Sequence, residues 1–331
     1  MKAIAYTQNG AASVLTDLQL PAPTPGPRDL LVQVQAISVN PVDTKVRSGA
    51  AVTEPRVLGW DAVGIVQQVG DQVSLFKVGD SVFYAGAIDR PGSNSELHLV
   101  DERIVGHKPQ SLDNAHAAAL PLTSITAWEL LFDRLGVPEG GGEGQSLLII
   151  GAAGGVGSIL TQLARKLTKL TVIGTASRDE TRQWVTDLGA HHVIDHSQPL
   201  VAQLETIGVG QVDHVASLTH TDKHFEQLIE ALRPQGQLAL IDDPKTLDVM
   251  PMKRKALSLH WELMFTRSLF QTPDMIKQHE LLERVAELID SGVLRTTLGE
   301  HYGTINAANL IRAHELIESG TAKGKIVLEG F

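Results

Sequence analysis

The 331-residue chain carries 28 Lys and Arg against 38 Asp and Glu, a formal charge of -10, which argues against nucleic acid or an anionic membrane as partner. It has no cysteine, which removes disulfides, thiolate catalysis and any cysteine-ligated zinc or iron–sulfur centre. At 43% hydrophobic and 20% charged it is composed like a globular protein, and its length exceeds what one core usually serves, so two domains are expected.

The stretch Met1 to Tyr6 alternates like a strand and lacks the apolar core of a signal peptide. No apolar run is long enough to span a bilayer, so a cytoplasmic protein is expected. Up to about residue 110 the pattern is one of short strands and turns. Val32, Val34 and Ala36 alternate with Gln33 and Gln35, the period of a half-buried strand. Pro21 to Pro27 holds four prolines and a glycine and reads as a connection. Val69-Gly70-Asp71 and Val78-Gly79-Asp80 read as turns. Strands this closely spaced predict a small, partly closed β-barrel.

From Asn114 the character changes. His116 to Leu135 is rich in Ala, Leu and Trp and reads as helical, and Gly136 to Gly144 as a loop. Strand and helix signals then alternate from Ser146 to Ile241, which predicts a parallel sheet with helices on both faces. Leu147 to Ile150 is apolar on both sides, as a doubly covered strand requires. A helix near Pro273 to Ser291 places Leu281, Val285 and Leu288 on one face, and Lys325 to Leu328 reads as a last strand. The fold class is therefore α/β, with a β-rich domain beside a doubly wound sheet.

The strongest local signal is Gly151-Ala152-Ala153-Gly154-Gly155-Val156-Gly157, which follows an apolar strand and opens a helix. In that setting glycines let the backbone approach a pyrophosphate, which the helix N-terminus then binds. Ala152 stands in the first glycine slot; the competing reading is a turn with no ligand. The end of the second strand separates NAD from NADP: an acid binds the ribose 2′-OH, a base the 2′-phosphate. Here it ends Ser177-Arg178, with Arg178 21 residues after Gly157 and Arg182 one helical turn further on, which favours NADPH. The alternative leaves Arg178 solvated and gives the ribose to Asp179 or Glu180. Leu218-Thr219-His220 and Ile241-Asp242 follow the fourth and fifth strands, at the carboxyl edge where such sheets bind ligands.

These features, together with Asn40-Pro41-Val42-Asp43-Thr44-Lys45-Val46-Arg47-Ser48-Gly49, Gly59-Trp60-Asp61-Ala62-Val63-Gly64, Thr123-Ser124-Ile125-Thr126-Ala127-Trp128 and Lys323-Gly324-Lys325-Ile326-Val327-Leu328, resemble the medium-chain dehydrogenase/reductase superfamily. The nearest likeness is to zeta-crystallin-like quinone oxidoreductases and a group of zinc-type alcohol dehydrogenases. The resemblance implies a GroES-like catalytic domain over residues 1–124, completed by 267–331, around a Rossmann domain over 125–266, usually in a homodimer. It places Thr126 and Lys325 at the cofactor, Asn40 toward nicotinamide and substrate, and Asp43 as the residue that orients the polar network. Relatives often carry Tyr where this chain has Lys45, so an ammonium there stabilises an enolate or delivers a proton in place of the phenol. The expected catalytic set is Asn40, Asp43 and Lys45. The expected cofactor set is Thr126, Ala153, Gly154, Gly155, Val156, Gly157, Ser177, Arg178, Arg182, Leu218, Thr219, His220, Ile241, Asp242 and Lys325. Phe265, Trp261 and Met264 line either the substrate pocket or a dimer seam.

Zinc-dependent members place His-Glu after the glycine corresponding to Gly59, and this chain has Trp60-Asp61. They also use cysteine ligands that are absent here, and Asp61 and His98 alone make a poor metal site, so no metal is expected. Without zinc, reduction of a simple ketone loses its Lewis acid, whereas a quinone or enone spreads the developing charge by conjugation. The expectation is an NADPH-dependent, metal-independent reductase of quinones or α,β-unsaturated carbonyls. The rivals are a reductase of simple aldehydes or ketones and an NADPH-binding sensor with little turnover.

Overall fold

The computed structural model describes residues 1–49 and 52–331, which divide into two compact units: Met1–Ile125 with Phe265–Phe331, and Thr126–Met264. The first stretch holds strands β1 (Lys2–Tyr6), β2 (Thr16–Gln19), β3 (Asp29–Val39), β4 (Arg56–Val57), β5 (Ala62–Val69), β6 (Ser81–Tyr84), β7 (Leu97–Asp101) and β8 (Val105–His107). Helices α1 (Pro41–Ser48), α2 (Asn114–Ala118) and α3 (Pro121–Trp128) accompany them. The second unit runs β9 (Ser146–Ile150), α4 (Gly155–Leu167), β10 (Thr171–Thr175), α5 (Asp179–Asp187), β11 (His192–Ile194), α6 (Leu200–Thr206), β12 (Val212–Ser217), α7 (Thr221–Ala231), β13 (Leu232–Leu240) and β14 (Ser258–Trp261). The chain then returns to the first unit with α8 (Thr266–Leu269), α9 (Lys277–Asp290), β15 (Leu298–His301), α10 (Ala307–Glu318) and β16 (Lys325–Glu329).

The second unit is a doubly wound parallel sheet in the order β11-β10-β9-β12-β13-β14. The chain steps outward from β9 to β10 and β11, then crosses back to lay β12 on the other side of β9. That reversal opens a crevice at the carboxyl ends of β9 and β12, where open α/β sheets bind ligands. All five residues of β9 are buried, as its central place demands.

The first unit is the β-rich domain that its sequence predicts, but its strands do not close into a barrel. Among the described residues its strands form an open seven-stranded and a three-stranded sheet, joined by a lone bridge between Ala3 and Ser95. The reason lies in β3, which is 11 residues long. One side pairs with β5, with register shifts at Leu31/Val32 and Val34/Ala36. The other side is shared: Asp29–Gln33 pairs with β7, and Ala36–Val39 with β16. The sheet therefore forks along β3 and leaves β15 and β8 as unjoined edges.

Candidate functional site

At the switch point of the second unit the glycine loop takes the form that its sequence predicts. Gly151 has φ +81°, a conformation open to glycine, and its N–H donates to Thr175 Oγ1 at 3.1 Å. Gly154 caps α4 in an extended conformation, so the first amides of that helix have no partner of their own. A Cβ on Gly157 would lie 2.4 Å from Gly151 O, because α4 packs straight onto the turn. Ala152 fits the first slot because of Gly174 on β10: a Cβ there would sit 3.0 Å from Ala152 Cβ, so the missing methyl on one strand makes room for the extra methyl on the loop. A Cβ on Gly154, by contrast, would meet only Gly151 O, at 3.5 Å. The loop is a cradle with open space on one side, aimed by a 13-residue helix, and a dinucleotide pyrophosphate fits it.

Around this cradle the structure brings together many of the expected residues. Ala153, Gly154, Gly155 and Val156 are half-buried on the loop, while Ser177 and Arg178 are exposed just beyond β10. Leu218 and Thr219 follow β12, and the Thr219 methyl lies against Gly151. His220 is exposed in the left-handed region at φ +50°, its Nδ1 2.7 Å from Thr219 Oγ1; such strain in a non-glycine residue is held in place by its neighbours. Ile241 is half-buried at the end of β13, its N–H donating to Ser217 O at 3.4 Å; Thr126 is buried on α3, away from the contacts described at the loop.

Two members of the expected cofactor set in this unit make hydrogen bonds within the protein. Arg182 donates to Ala176 O at 3.2 Å and Val193 O at 3.1 Å, which uses two of its five N–H donors to brace β10 and β11. Asp242 caps α7 through Thr221 N at 2.8 Å and Thr221 Oγ1 at 2.5 Å, so this carboxylate occupies that helix terminus itself. His196, which carried no role in the sequence, follows β11 at the same edge and stands edge-on to His224 with ring centroids 6.1 Å apart.

The expected catalytic residues belong to the first unit. Asn40 caps α1, and the Asp43 carboxylate reaches back to its N–H at 2.8 Å. Burial pushes the Asp43 carboxyl up to about 7, against the backbone amides of Asn40 and Gly59 and the charge of Lys325, with Asp61 adding to the rise. Arg47 ties the same helix to α10 through His314 Nδ1 at 2.9 Å and Glu318, and to Gly10 O at 3.0 Å. Lys45 is exposed on α1, on a different face from the buried Asp43.

The Asn40 side chain, placed toward nicotinamide and substrate by the resemblance, is hydrogen-bonded within the first unit. Its Nδ2 donates to Asp61 Oδ2 at 2.8 Å and to Trp60 O at 3.4 Å, and its Oδ1 accepts from Lys325. Lys325, expected at the cofactor, is 3% exposed; its ammonium donates to Asp61 Oδ2 at 2.9 Å, Val39 O at 3.0 Å and Asn40. With its three donors used, none is left for a phosphate. Asp61 also accepts from Ser38 Oγ at 2.8 Å and, at Oδ1, from the Leu122 N–H at 2.7 Å. Sequence reasoning missed this centre; the signal that could have found it is a charge bordering each of two apolar strands, Asp61 before β5 and Lys325 opening β16.

These residues do not fit a zinc ion. His98 is buried with Nδ1 3.1 Å from the Tyr84 hydroxyl and Nε2 2.9 Å from Pro91 O, so both ring nitrogens are in use, and burial pushes its pKa down to about 4. The Asp61 carboxylate is paired with Lys325, the chain has no cysteine, and no three His, Cys, Asp or Glu side chains converge among the described residues. The aromatic stretch divides: Phe265 is buried edge-on to Trp60 at 6.0 Å, whereas Trp261, on the edge strand β14, is half exposed.

An alcohol dehydrogenase GroES-like domain model matches residues 26–110, and a zinc-binding dehydrogenase model matches residues 188–328. A zinc-type alcohol dehydrogenase-like protein from Staphylococcus aureus strain MSSA476 is 42% identical over 309 residues, 92% of each chain. Among solved structures, a Rhizobium etli CFN 42 protein provisionally described as a zinc-dependent alcohol dehydrogenase superposes with a TM-score of 0.97 at 57% identity, over 100% of this chain and 98% of that one. The Escherichia coli quinone oxidoreductase, solved with NADPH, superposes with a TM-score of 0.86 at 26% identity, over 99% and 100%. No helix among the described residues is long and apolar enough to cross a membrane.

Proposed function

Because the chain belongs to the medium-chain dehydrogenase/reductase superfamily, in its quinone oxidoreductase-like branch, and is an oxidoreductase of that family, we propose that it reduces quinones or α,β-unsaturated carbonyls with NADPH and without a metal. The observation that carries this reading is the Asp61–Lys325 centre. It fills with a satisfied ion pair the segment in which, by the resemblance, zinc-dependent members begin their ligand set. Charge that builds on a substrate oxygen then needs a substrate able to delocalise it, together with hydrogen-bond donors from the chain. Bound NADPH supplies the hydride. In this reading Ala153 to Gly157 and the start of α4 hold the pyrophosphate. Ser177 and Arg178 hold the 2′-phosphate, and the exposed Lys45 supplies a proton or a positive charge to the developing oxyanion.

The small-molecule electrophile is the partner this site suits, and the working form in this reading is a homodimer. β14 is the outer strand of its sheet; Trp261 at its end and Leu263 just beyond it are each about half exposed, the kind of apolar edge that a second copy covers. Light scattering of the wild type and of Trp261→Glu tests this: a dimer that becomes a monomer is expected, and a wild-type monomer refutes it.

The test of function is loss of nicotinamide absorbance with NADPH and with NADH against a benzoquinone, a naphthoquinone, a linear enone and a simple ketone, each with and without EDTA. NADPH-selective, chelator-resistant turnover of the conjugated substrates is expected, together with no stoichiometric zinc by elemental analysis. Turnover of the ketone alone, or activity lost to EDTA and restored by zinc, overturns the proposal.

A further inference from the structure

Asn40, Asp61 and Lys325 come from three distant parts of the chain and are buried together, at 1%, 0% and 3% exposure. Five segments meet there: the end of β3 through Ser38 and Val39, the start of α1 through Asn40, the Trp60-Asp61 approach to β5, the first turn of α3 through Leu122, and the start of β16 through Lys325. The Asp61 carboxylate divides its work between its two oxygens. Oδ2 collects Lys325, Asn40 and Ser38, while Oδ1 takes the Leu122 amide. That amide is one of the groups an α-helix leaves without a partner at its beginning, so Asp61 anchors α3 as well as the residue that caps α1. A pair that only filled the core would need none of these attachments to helix starts.

We propose that Lys325, Asp61 and Asn40 form a positioning unit: an internal cation holds the Asp61 carboxylate so that it fixes the starts of α1 and α3 together, and none of the three touches the substrate. The unit sets the placement of Asp43 and the outward-facing Lys45 on α1, and of Thr126 on α3. Lys325 is on this account a positioning residue and not a cofactor contact. Only the kinetic part of the test rests on the reductase reading.

The experiment compares the full-length wild type, Lys325→Met and the charge-neutral double variant Asp61→Asn with Lys325→Met. The single variant strands a buried carboxylate and is expected to melt early or fail to fold; a single variant as stable as wild type overturns the proposal. The double variant is expected to fold cooperatively, with amide exchange over residues 41–48 and 121–128 about tenfold faster and that of residues 62–69 unchanged. With NADPH and a benzoquinone its kcat is expected to fall about tenfold or more, while the NADPH Kd stays within about twofold. A double variant that matches wild type in local exchange and kcat overturns the proposal. So does one that keeps kcat but binds NADPH about tenfold more weakly, which makes Lys325 a cofactor contact. If the wild type reduces no electrophile, the reductase reading fails, and the exchange measurement alone decides the positioning unit.

Discussion

Two glycines in one loop do different work, and substituting each by alanine separates the two. A methyl on Gly157 would lie 2.4 Å from Gly151 O, 2.6 Å from Ala152 Cα and 2.7 Å from Ala152 C, all main-chain atoms that cannot swing aside. Restoring ordinary contact requires α4 to withdraw from the turn by about 1 Å, and overpacking of that kind costs roughly 1–3 kcal/mol. The gain of up to about 1 kcal/mol from replacing glycine by alanine in a helix offsets only part of it. The same retreat moves the amides of α4 away from a bound phosphate. A methyl on Gly154 meets nothing nearer than Gly151 O at 3.5 Å, at an unstrained φ of −73°, so the fold should not register it beyond about 0.5 kcal/mol. That methyl projects into the open side of the cradle, where a pyrophosphate would lie. Urea unfolding of the cofactor-free chain and titration with NADPH by nicotinamide fluorescence measure both effects. Gly157→Ala should lose stability and affinity; Gly154→Ala should keep its stability and lose about tenfold or more in affinity. Unchanged NADPH binding in Gly154→Ala would refute the placement of the pyrophosphate, and an undisturbed Gly157→Ala would refute the packing argument.

Arg178→Ala should weaken NADPH by about 1–3 kcal/mol and leave NADH as it was; equal weakening of both in parallel titrations removes Arg178 from the 2′-phosphate. The Asp43 carboxyl, raised from 3.8 to about 7, keeps its proton in the folded chain after the unfolded chain has lost it. Its contribution to stability is therefore complete below about pH 4 and disappears as the pH rises through about 7, a change of at most about 4 kcal/mol. Asp43→Asn should flatten that slope in denaturant titrations at pH 4, 6 and 8, and a slope equal to that of wild type refutes the assignment. Glu262, pushed up to about 9 by burial and by neighbouring Glu129 against the pull of Arg134, likewise loses stability toward alkaline pH. Glu262→Gln should unfold less readily than wild type above pH 9, measured by thermal melts.

The doubly wound sheet was legible because strands covered on both faces are apolar runs, and the helices between them carry their own period. The β-rich domain was legible too, but its strand pairing and lack of closure were not, because alternation along Leu30 to Val39 tells which side is buried but not which strand lies beside it. The division of β3 between β7 and β16 is a matter of partners about 70 and 290 residues away. The glycine loop was readable as a local signal. The complementary pair Ala152 and Gly174 was not, since neither residue has meaning without the other. Lys325 was read by resemblance as a cofactor residue and Asp61 only as part of a poor metal site, and their separation of 264 residues hid the fact that each is the other's partner. Asn40 shows the converse limit, since its residue type suggested a donor and only its neighbours reveal that every donor is taken.

The fork in β3 also orders events during synthesis. The partner of the second half of that strand and the counter-charge of Asp61 both come from β16, about 290 and 264 residues further along the chain. A nascent chain can close the Thr126–Met264 unit while the strands before it still wait with an unpaired edge and an uncompensated carboxylate. Residues 29–69 thus mature only once β16 has emerged, and a chaperone that shields nascent chains should be needed by them until then.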